Sequence, residues 1–463
     1  MKTYADLIDQ TFDFPTKEFT VSNNQLHFHG VNLMEIIEQY GTPLRLTYQP
    51  KIAQNIAYAR EIFNKAIKKH KYEGEYTYCY CTKSSHFRFV MEEALANDAH
   101  VETSSAFDIP IIRSLHKNGK LTKNHFIICN GFKRPLYLKY VSELINDGFK
   151  NCLPVLDNLN EMDFYDQHVK GEYKLAIRLA ADEEPNFAFY TSRLGIRYDD
   201  AVDLYKEKIR DNPKAKLKML HYFINTGIKD TAYYWSELSR FVYMYCKLKK
   251  MCPDLDTIDI GGGFPIKNSL AFEYDYEYMA EQIVENVQWI CKKNHVPVPN
   301  IFTEFGSFTV GESGATIYSV LDEKLQNDKE LWYMMDGSFI THMPDVWGLG
   351  EKFILLPINL WNNQFHKVNI GGLTCDSMDY YDSEAHLTEV FLPTKEEGQQ
   401  LYFGFFHNGA YQESLGGYGG IQHCLIPAAK HILLKKDKDG NIQSELFAEE
   451  QTSESMLKIL GYD

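Results

Sequence analysis

Short apolar runs alternate with amphipathic stretches along the chain until about residue 310. The short runs are typical of buried strands, and the longer stretches carry apolar residues at helical spacing. Strands are predicted at 77–82, 100–104, 125–130, 152–157, 173–180, 217–225, 257–263 and 301–306, with helices between them, for example at 106–117, 134–147, 231–250 and 277–294. This alternation predicts an α/β fold with a closed, TIM-like (β/α)₈ barrel over residues 46–310; a doubly wound open sheet is the alternative.

The pattern changes after about residue 310, where strand-like runs follow one another without long helices. These runs are 315–321, 331–335, 352–360, 366–374, 388–393, 401–407 and a hairpin at 431–447. They predict an antiparallel β-sheet domain over residues 311–463. The N-terminal segment, residues 1–45, contains a hairpin pattern that turns at Asn23-Asn24, and we expect this segment to join the β domain.

Lys83 follows the first predicted barrel strand, the aromatic and cysteine run that begins at Tyr76. A helix pattern comes next, and Ser84 or Ser85 can cap it. Chemistry in α/β folds collects at the carboxyl ends of strands, so Lys83 lies where a reactive amine is expected. It is either a snorkelling surface residue or an amine in a dry pocket that can form a Schiff base.

Two further strand ends carry candidate chemistry. The seventh strand ends in Gly261-Gly262-Gly263. Either the bare backbone N–H groups of these glycines approach a phosphate, or the glycines only relieve crowding in a tight turn. The eighth strand ends in Glu304-Phe305-Gly306. Glu304 either holds a protonated ring nitrogen by a charge-assisted hydrogen bond or is an ordinary surface acid.

The fifth and sixth strands add an arginine and an aromatic residue. Arg178 lies within an apolar strand and needs a partner, for which Glu102 on the second strand is suitable. Arg178 either forms a structural ion pair within the barrel or binds a cofactor. Phe223, at the end of the sixth strand, either stacks on an aromatic cofactor or packs in the barrel.

The β domain contains two polar motifs of its own. Cys375 and Asp376 follow a predicted strand, in a setting unusual for a cysteine that only fills a core. Tyr411 lies at the start of a glycine-rich turn region, where its hydroxyl can donate to a phosphate.

Charge and cysteine spacing narrow the class of protein. The net charge of −15 argues against nucleic acid as a partner. The nine cysteines include no C-x-x-C pair, so we expect neither a zinc site nor a disulfide framework, and reduced cysteines fit the cytoplasm. Neither a signal-peptide pattern nor an apolar run of membrane-spanning length is present in the sequence, so no membrane partner is expected.

Together these motifs resemble the fold-type III pyridoxal-phosphate decarboxylases, which act on ornithine, arginine, diaminopimelate or carboxynorspermidine. The resemblance runs from Tyr40-Gly-Thr-Pro-Leu to Gly-Ala-Tyr411. It implies that Lys83 is the Schiff-base lysine and that Cys375-Asp376 reaches into the site of a partner subunit. The cofactor-binding set that it implies is Lys83, Glu102, Arg178, Phe223, Thr226, Gly261, Gly262, Gly263, Glu304, Gly306 and Tyr411.

Three positions depart from the family pattern. Phe223 stands where the family has a histidine, Ser307 where it commonly has an arginine, and Thr226 where it often has a serine. Phenylalanine retains stacking without a hydrogen bond, and the loss of the arginine leaves the phosphate more dependent on backbone N–H groups. These changes indicate a divergent subgroup.

Within the family the chain is most similar to short arginine-decarboxylase-like proteins. The resemblance therefore implies a homodimer with shared active sites that decarboxylates L-arginine to agmatine in polyamine biosynthesis. Cys375 would protonate the product, and Asp376, with Asp345, would bind the distal cation of a basic amino acid. Carboxynorspermidine or diaminopimelate decarboxylation is the main alternative; an alanine-racemase-like enzyme and an inactive regulatory homologue are the others.

Overall fold

The computed structural model describes residues 3–8, 12–181 and 192–462. Residues 182–191 of the predicted barrel, residues 1–2 and 9–11 of the N-terminal segment and residue 463 lie outside the described residues. The chain divides into two compact units, each described by itself below. The first consists of Met1–Lys51, Ile266–Glu273 and Val310–Asp463, and the second of Ile52–Pro265 and Tyr274–Thr309.

The N-terminal segment contributes short elements to the first unit. They are α1 (Tyr4–Ile8), β1 (Phe19–Ser22), β2 (Gln25–Phe28), β3 (Val31–Asn32), α2 (Leu33–Tyr40) and β4 (Leu44–Tyr48). The predicted hairpin exists, but β1, β2 and β3 form a separate three-stranded sheet instead of joining the large one. Its apolar residues, such as Phe19 and Phe28, pack into the same core as β4. The hairpin is therefore attached to the β unit by side-chain burial.

The second unit is the predicted barrel. Its elements are α3 (Pro50–His70), β5 (Tyr76–Cys81), a 3₁₀ turn (Thr82–Ser84), α4 (Arg88–Ala96), β6 (His100–Thr103), α5 (Asp108–Lys117), β7 (Ile127–Cys129), α6 (Pro135–Asn146), β8 (Cys152–Leu156), α7 (Glu161–His168), β9 (Tyr173–Arg178), α8 (Tyr198–Leu204), a π-helical turn (Tyr205–Ile209), β10 (Ala215–His221), α9 (Ala232–Lys249), β11 (Thr257–Asp259), α10 (Tyr276–Lys293) and β12 (Asn300–Phe305). Strands β5 to β12 close in sequence order, and β12 pairs parallel with β5. The barrel prediction is confirmed, and the open-sheet alternative is wrong.

The start of α4 differs from its prediction. Neither Ser84 nor Ser85 caps it; the 3₁₀ turn intervenes, and Phe87 occupies the cap position without a side-chain hydrogen bond. Ser84 and Ser85 are both buried. The extra turn after β5 delays the helix and leaves Lys83 exposed between two buried neighbours.

The C-terminal part of the chain completes the first unit. The helix α11 (Ser307–Val310) precedes it and lies mostly in the second unit. The elements of the first unit that follow are a 3₁₀ turn (Gly311–Ser313), β13 (Gly314–Gln326), β14 (Glu330–Met335), α12 (Phe339–His342), α13 (Pro344–Leu349), β15 (Ile354–Pro357), β16 (Phe365–Gly371), β17 (Tyr380–Tyr381), β18 (Val390–Pro393), β19 (Tyr402–Phe406), α14 (Gln412–Gly416), a 3₁₀ turn (His423–Leu425), β20 (Lys430–Lys436), β21 (Ile442–Ala448) and α15 (Ser453–Leu460).

The large sheet of this unit has ten strands and is mixed rather than purely antiparallel. Strand β4 lies between β13, to which it is antiparallel, and β20, to which it is parallel. Strands β14 and β16 are also parallel. Parallel neighbouring strands need a long connection, and the chain between β4 and β20 supplies one. The sequence pattern of consecutive strands does not reveal this parallel pairing. Among the described helices, none combines the length and apolar character needed to span a membrane.

A buried ion pair links the loop after β7 to the first residue of α7. The Lys133 ammonium lies 3.0 Å from the Glu161 carboxylate, and the two side chains are 0% and 2% exposed. Lys133 also donates to the carbonyl of Gly131 at 3.0 Å. Burial raises the pKa of Glu161, and the Lys133 charge opposes that rise.

We expect Lys133→Met to destabilise the barrel by about 3–5 kcal/mol, because it leaves a buried carboxylate without its cation. Lys139→Met, at a side chain that is 62% exposed, should change the unfolding free energy by less than about 0.5 kcal/mol. Urea unfolding of both variants measures the difference. A second replacement, Glu161→Leu, should recover most of the loss; equal stability of the two single variants would contradict this account.

Candidate active site

Lys83 and Glu102 form an ion pair at the carboxyl ends of β5 and β6. The Lys83 Nζ donates to Glu102 Oε2 at 2.8 Å, and the lysine side chain is 45% exposed while the glutamate is 1% exposed. Burial raises the pKa of Glu102, and the Lys83 ammonium works against that rise. The sequence offered Glu102 as a partner for Arg178; the structure shows it holding the candidate reactive amine.

Glu304, at the end of β12, is bound by two residues from other strands. Its Oε2 lies 3.1 Å from His221 Nε2 and 3.4 Å from Asn130 Nδ2. All three side chains are buried. Asn130 Nδ2 also lies 3.1 Å from His221 Nε2, but an amide nitrogen cannot accept a proton from the ring, so the Nε2 proton is directed at the carboxylate. His221 therefore donates to Glu304 and fixes its orientation.

Glu304 is ionised despite its burial. Desolvation favours the neutral acid, but His221, Lys83 and Arg178 together hold the pKa of Glu304 well below its ordinary value. The neighbouring Asp259 shows the opposite shift: burial, followed by the Glu304 charge, raises its pKa well above the usual range. The pKa values of these two buried acids are therefore shifted in opposite directions, as expected when like charges share a site.

The glycine turn after β11 is pinned to the neighbouring loop after β10. Gly261 adopts φ +68° and Gly263 φ +115°, values in the region that favours glycine. The Gly261 N–H donates to Asp259 Oδ1 at 2.8 Å, and the Ile228 N–H donates to the Gly263 carbonyl at 2.8 Å. A Cβ on Gly262 would meet the Glu304 carbonyl oxygen. The turn thus brings bare backbone against the strand that carries Glu304.

The loop after β10 carries the predicted Phe223 and Thr226. Phe223 is 41% exposed, and its ring lies beside Gly261. Among the described residues, neither the Thr226 hydroxyl nor the side-chain amide of Asn225 has a hydrogen-bond partner, although both are buried. An exposed ring beside buried polar groups suits a ligand with an aromatic face and polar substituents.

Arg178 and Gly306 occupy the remaining predicted positions in the barrel. Arg178 ends β9, is buried, and contributes to lowering the pKa of Glu304. A Cβ on Gly306 would meet the Ser84 hydroxyl, so this glycine lets the end of β12 approach the turn that carries Lys83. A cofactor contact of Gly306 stays a prediction.

Cys375 and Asp376 lie in the β unit, on the loop between β16 and β17. Cys375 is exposed, and its Sγ lies 3.6 Å from Sγ of Cys424. Hydrogen bonding with Cys424 raises the pKa of the Cys375 thiol. Asp376 accepts a hydrogen bond from the Met378 N–H at 2.8 Å.

Asp345 is hydrogen-bonded to the segment of the β unit that contains Tyr411. Gln412, next to Tyr411, donates to Asp345 Oδ2 at 2.7 Å. Asp345 is buried, and that burial raises its pKa. Tyr411 adopts φ +67° before α14. Asp345 thus stabilises the turn that presents Tyr411, which a sequence pattern does not show.

Four residues of these clusters escaped the sequence analysis: Asn130, His221, Asp259 and Cys424. Asn130 and His221 contact Glu304 from 174 and 83 residues away. Asn130 follows β7, and His221 and Asp259 end β10 and β11, but the predicted sixth and seventh strands ran on to residues 225 and 263, so the predicted strand ends did not select His221 or Asp259. Nothing in the sequence pairs Cys375 with Cys424, 49 residues away.

The comparisons with known proteins agree with this geometry. The profile of the family described as "Pyridoxal-dependent decarboxylase, pyridoxal binding domain" matches residues 59–311. The chain belongs to this family of pyridoxal-phosphate-dependent decarboxylases. It is an enzyme, and pyridoxal 5′-phosphate is its cofactor.

Relatives and solved structures match nearly end to end. The biosynthetic arginine decarboxylase of Vibrio vulnificus is 21% identical over 96% of this chain and 88% of its own length. The structure of biosynthetic arginine decarboxylase SpeA from Campylobacter jejuni superposes with a TM-score of 0.82 at 19% identity, covering 98% of this chain and 90% of that one. The structure of diaminopimelate decarboxylase from M. jannaschii superposes with a TM-score of 0.80 at 16% identity. The superposition covers 96% of this chain and 97% of that one. These structural likenesses establish the shared fold.

The residues at the barrel mouth fit pyridoxal 5′-phosphate. The group needs an amine, an ionised acid for its ring nitrogen, and donors for a phosphate. Lys83 supplies the amine, and Oε1 of the ionised Glu304 has no hydrogen-bond partner among the described residues. The glycine turn and the Thr226 hydroxyl supply donors of the required kind.

We expect Gly262→Ala to weaken cofactor binding and lower the thermal midpoint, because the added methyl would push against the Glu304 carbonyl. Gly171→Ala is the matched control, since a Cβ there meets no atom within 4 Å. Spectral titration with pyridoxal 5′-phosphate and thermal unfolding of both variants measure the two effects. Unchanged cofactor affinity in Gly262→Ala would contradict the prediction and show that the turn can accommodate a methyl group at this position.

Proposed function

We propose that this enzyme decarboxylates L-arginine to agmatine and carbon dioxide, as a step of polyamine biosynthesis. The observation that carries the proposal is the match with enzymes named arginine decarboxylase across 96% of the chain. The Lys83–Glu102 pair beside an ionised Glu304 supports the reaction class. Diaminopimelate or carboxynorspermidine decarboxylation is the second candidate, supported by the equally complete superposition on a diaminopimelate decarboxylase.

Bound pyridoxal 5′-phosphate supplies an electron sink for the pair of electrons left when carbon dioxide departs. Lys83 would hold it covalently through Nζ, and Glu102 would orient the lysine. Glu304 would accept a hydrogen bond from the ring nitrogen at Oε1 and keep that nitrogen protonated, because the carboxylate stays charged.

His221 and Asn130 are positioning residues in this scheme. Both act on Oε2 of Glu304, so Oε1 is left for the ring nitrogen. Phe223 would cover one face of the ring, while Gly261 to Gly263, Thr226, Gly306 and Tyr411 would bind the phosphate. Arg178 would add positive charge near the ring.

Cys375 and Asp376 are proposed to act on the substrate. A thiol with a raised pKa remains protonated at neutral pH, so Cys375 is suited to deliver a proton to the former α-carbon. Asp376 would bind the distal cation. Asp345 is a weaker candidate for that contact, because Gln412 already occupies one of its oxygens.

We further propose a cytoplasmic homodimer in which each site combines Lys83 of one chain with Cys375-Asp376 of the other. The exposure of Cys375 in the single chain supports such sharing, and nine free cysteines support a reducing compartment. A racemase-like enzyme needs a tyrosine base where Cys375 is proposed to act. An inactive regulator would have lost cofactor residues such as Lys83, Glu304 and the three glycines, and these are present here.

Carbon-dioxide release from arginine should exceed that from ornithine, lysine, diaminopimelate and carboxynorspermidine. Lys83→Ala should abolish it, while Lys117→Ala, at an exposed helix position, should not change it. Borohydride reduction of the loaded enzyme should attach the cofactor to the peptide that contains Lys83. Faster release from diaminopimelate or carboxynorspermidine would favour the second candidate; a label on another peptide would refute the role of Lys83.

Mixing Lys83→Ala with Cys375→Ala protein should restore activity if the sites are shared. Half of the dimers would be hybrids, and each hybrid would contain one site with both lesions and one with none. Equal mixing should restore about a quarter of wild-type activity. Subunit exchange is verified with differently tagged chains. Exchange without recovery would mean that each site uses residues of one chain only.

A further inference from the structure

Three groups of histidine, cysteine and acidic residues among the described positions bring their ligand atoms within 4.8 Å of one another. Two of them are buried at the barrel mouth and belong to the site described above. The third, made of Cys375, His423 and Cys424, is exposed and lies entirely within the β unit. No part of the proposed reaction uses His423 or Cys424.

We propose that Cys375, His423 and Cys424 form a binding site for a thiophilic divalent cation, Zn²⁺ above all. Two thiolates and one imidazole are a ligand set that zinc accepts, with the fourth tetrahedral position open to water. A tetrahedral zinc with bonds of about 2.3 Å to sulfur separates its two sulfur ligands by about 3.8 Å. The Sγ–Sγ distance of 3.6 Å is already close to that value.

The two loops that carry these ligands are held in place independently. On one loop, the Asp379 carboxylate accepts from the Thr374 hydroxyl at 2.6 Å and the Phe339 N–H at 2.8 Å, which fixes the chain beside Cys375. On the other loop, Cys424 and Leu425 adopt φ +52° and +54°. Non-glycine residues disfavour this region, and such strain concentrates at functional sites. This turn, His423–Leu425, carries two of the three ligands.

The pair is better arranged for a metal than for a disulfide. A disulfide needs the sulfur atoms at about 2.05 Å, well below the 3.6 Å found here. Two other cysteine pairs have similar separations, Cys129–Cys152 at 3.8 Å and Cys246–Cys291 at 3.9 Å, but all four thiols are buried. Among the described residues neither pair belongs to a cluster with a third ligand. Exposure and the imidazole distinguish the Cys375 site.

Metal binding at this site would oppose the proposed reaction. Each cation that binds replaces the protons of Cys375 and Cys424, so two protons leave for the solvent as two metal–sulfur bonds form. Cys375 held as a metal thiolate has no proton to deliver. The site would therefore make the enzyme sensitive to inhibition by free zinc; this consequence, unlike the metal site itself, rests on the proposed function.

Calorimetric titration of the reduced holoenzyme with ZnCl₂ tests the site. We expect saturation at one ion per chain and, from titrations in two buffers of different ionisation enthalpy, release of about two protons. Cys424→Ser and His423→Gln should lose this binding, while His295→Gln, at another exposed histidine, should retain it. No saturable binding, or full binding in Cys424→Ser, would overturn the site.

Decarboxylase assays separate this inference from the proposed function. Zinc should inhibit the wild-type enzyme, a chelator should restore it, and His423→Gln should remain active at zinc concentrations that stop the wild type. Zinc binding without inhibition would overturn the inhibitory role. Zinc binding in a protein that decarboxylates no basic amino acid would leave the metal site standing and refute the proposed function.

Discussion

A charged carboxylate buried inside the barrel is the constraint on which the candidate site depends. Glu304 can remain ionised at full burial only if positive charge and hydrogen-bond donors surround it. The barrel supplies them from different strands: Asn130 after β7, His221 at the end of β10, and Arg178 at the end of β9. Removing one of these groups would alter the charge of Glu304 as well as its position.

The same constraint explains why Asp259 and Glu102 have raised pKa values. Burial is the largest cause of both shifts, the Glu304 charge adds to each, and the Lys83 charge opposes the rise at Glu102. The candidate reactive amine is thereby also a counterion. Replacing Lys83 by a neutral residue would therefore raise the pKa of Glu102 further as well as remove the amine.

Much of the fold could be predicted because each barrel strand is a short apolar run bounded by helical patterns. The strand ends also identified Lys83, Glu304 and the glycine turn. What the sequence could not supply were pairings set by closure of the barrel, such as Asn130 with Glu304, and the position of β4 in a mixed sheet. The Ser84 cap failed for a related reason: the turn after β5 is shaped by packing against Gly306, not by local capping preference.

The place of β4 has a consequence for how the chain folds during synthesis. Residues 44–48 pair with residues 314–317 and with residues 430–434, so this strand must wait for almost the entire chain to leave the ribosome. All the barrel strands, by contrast, are complete once residue 305 has emerged. Such long sequence separations slow folding. The β unit is therefore the last for which all strands are available, and until then the apolar strand β4 lacks its partners, a condition that favours aggregation.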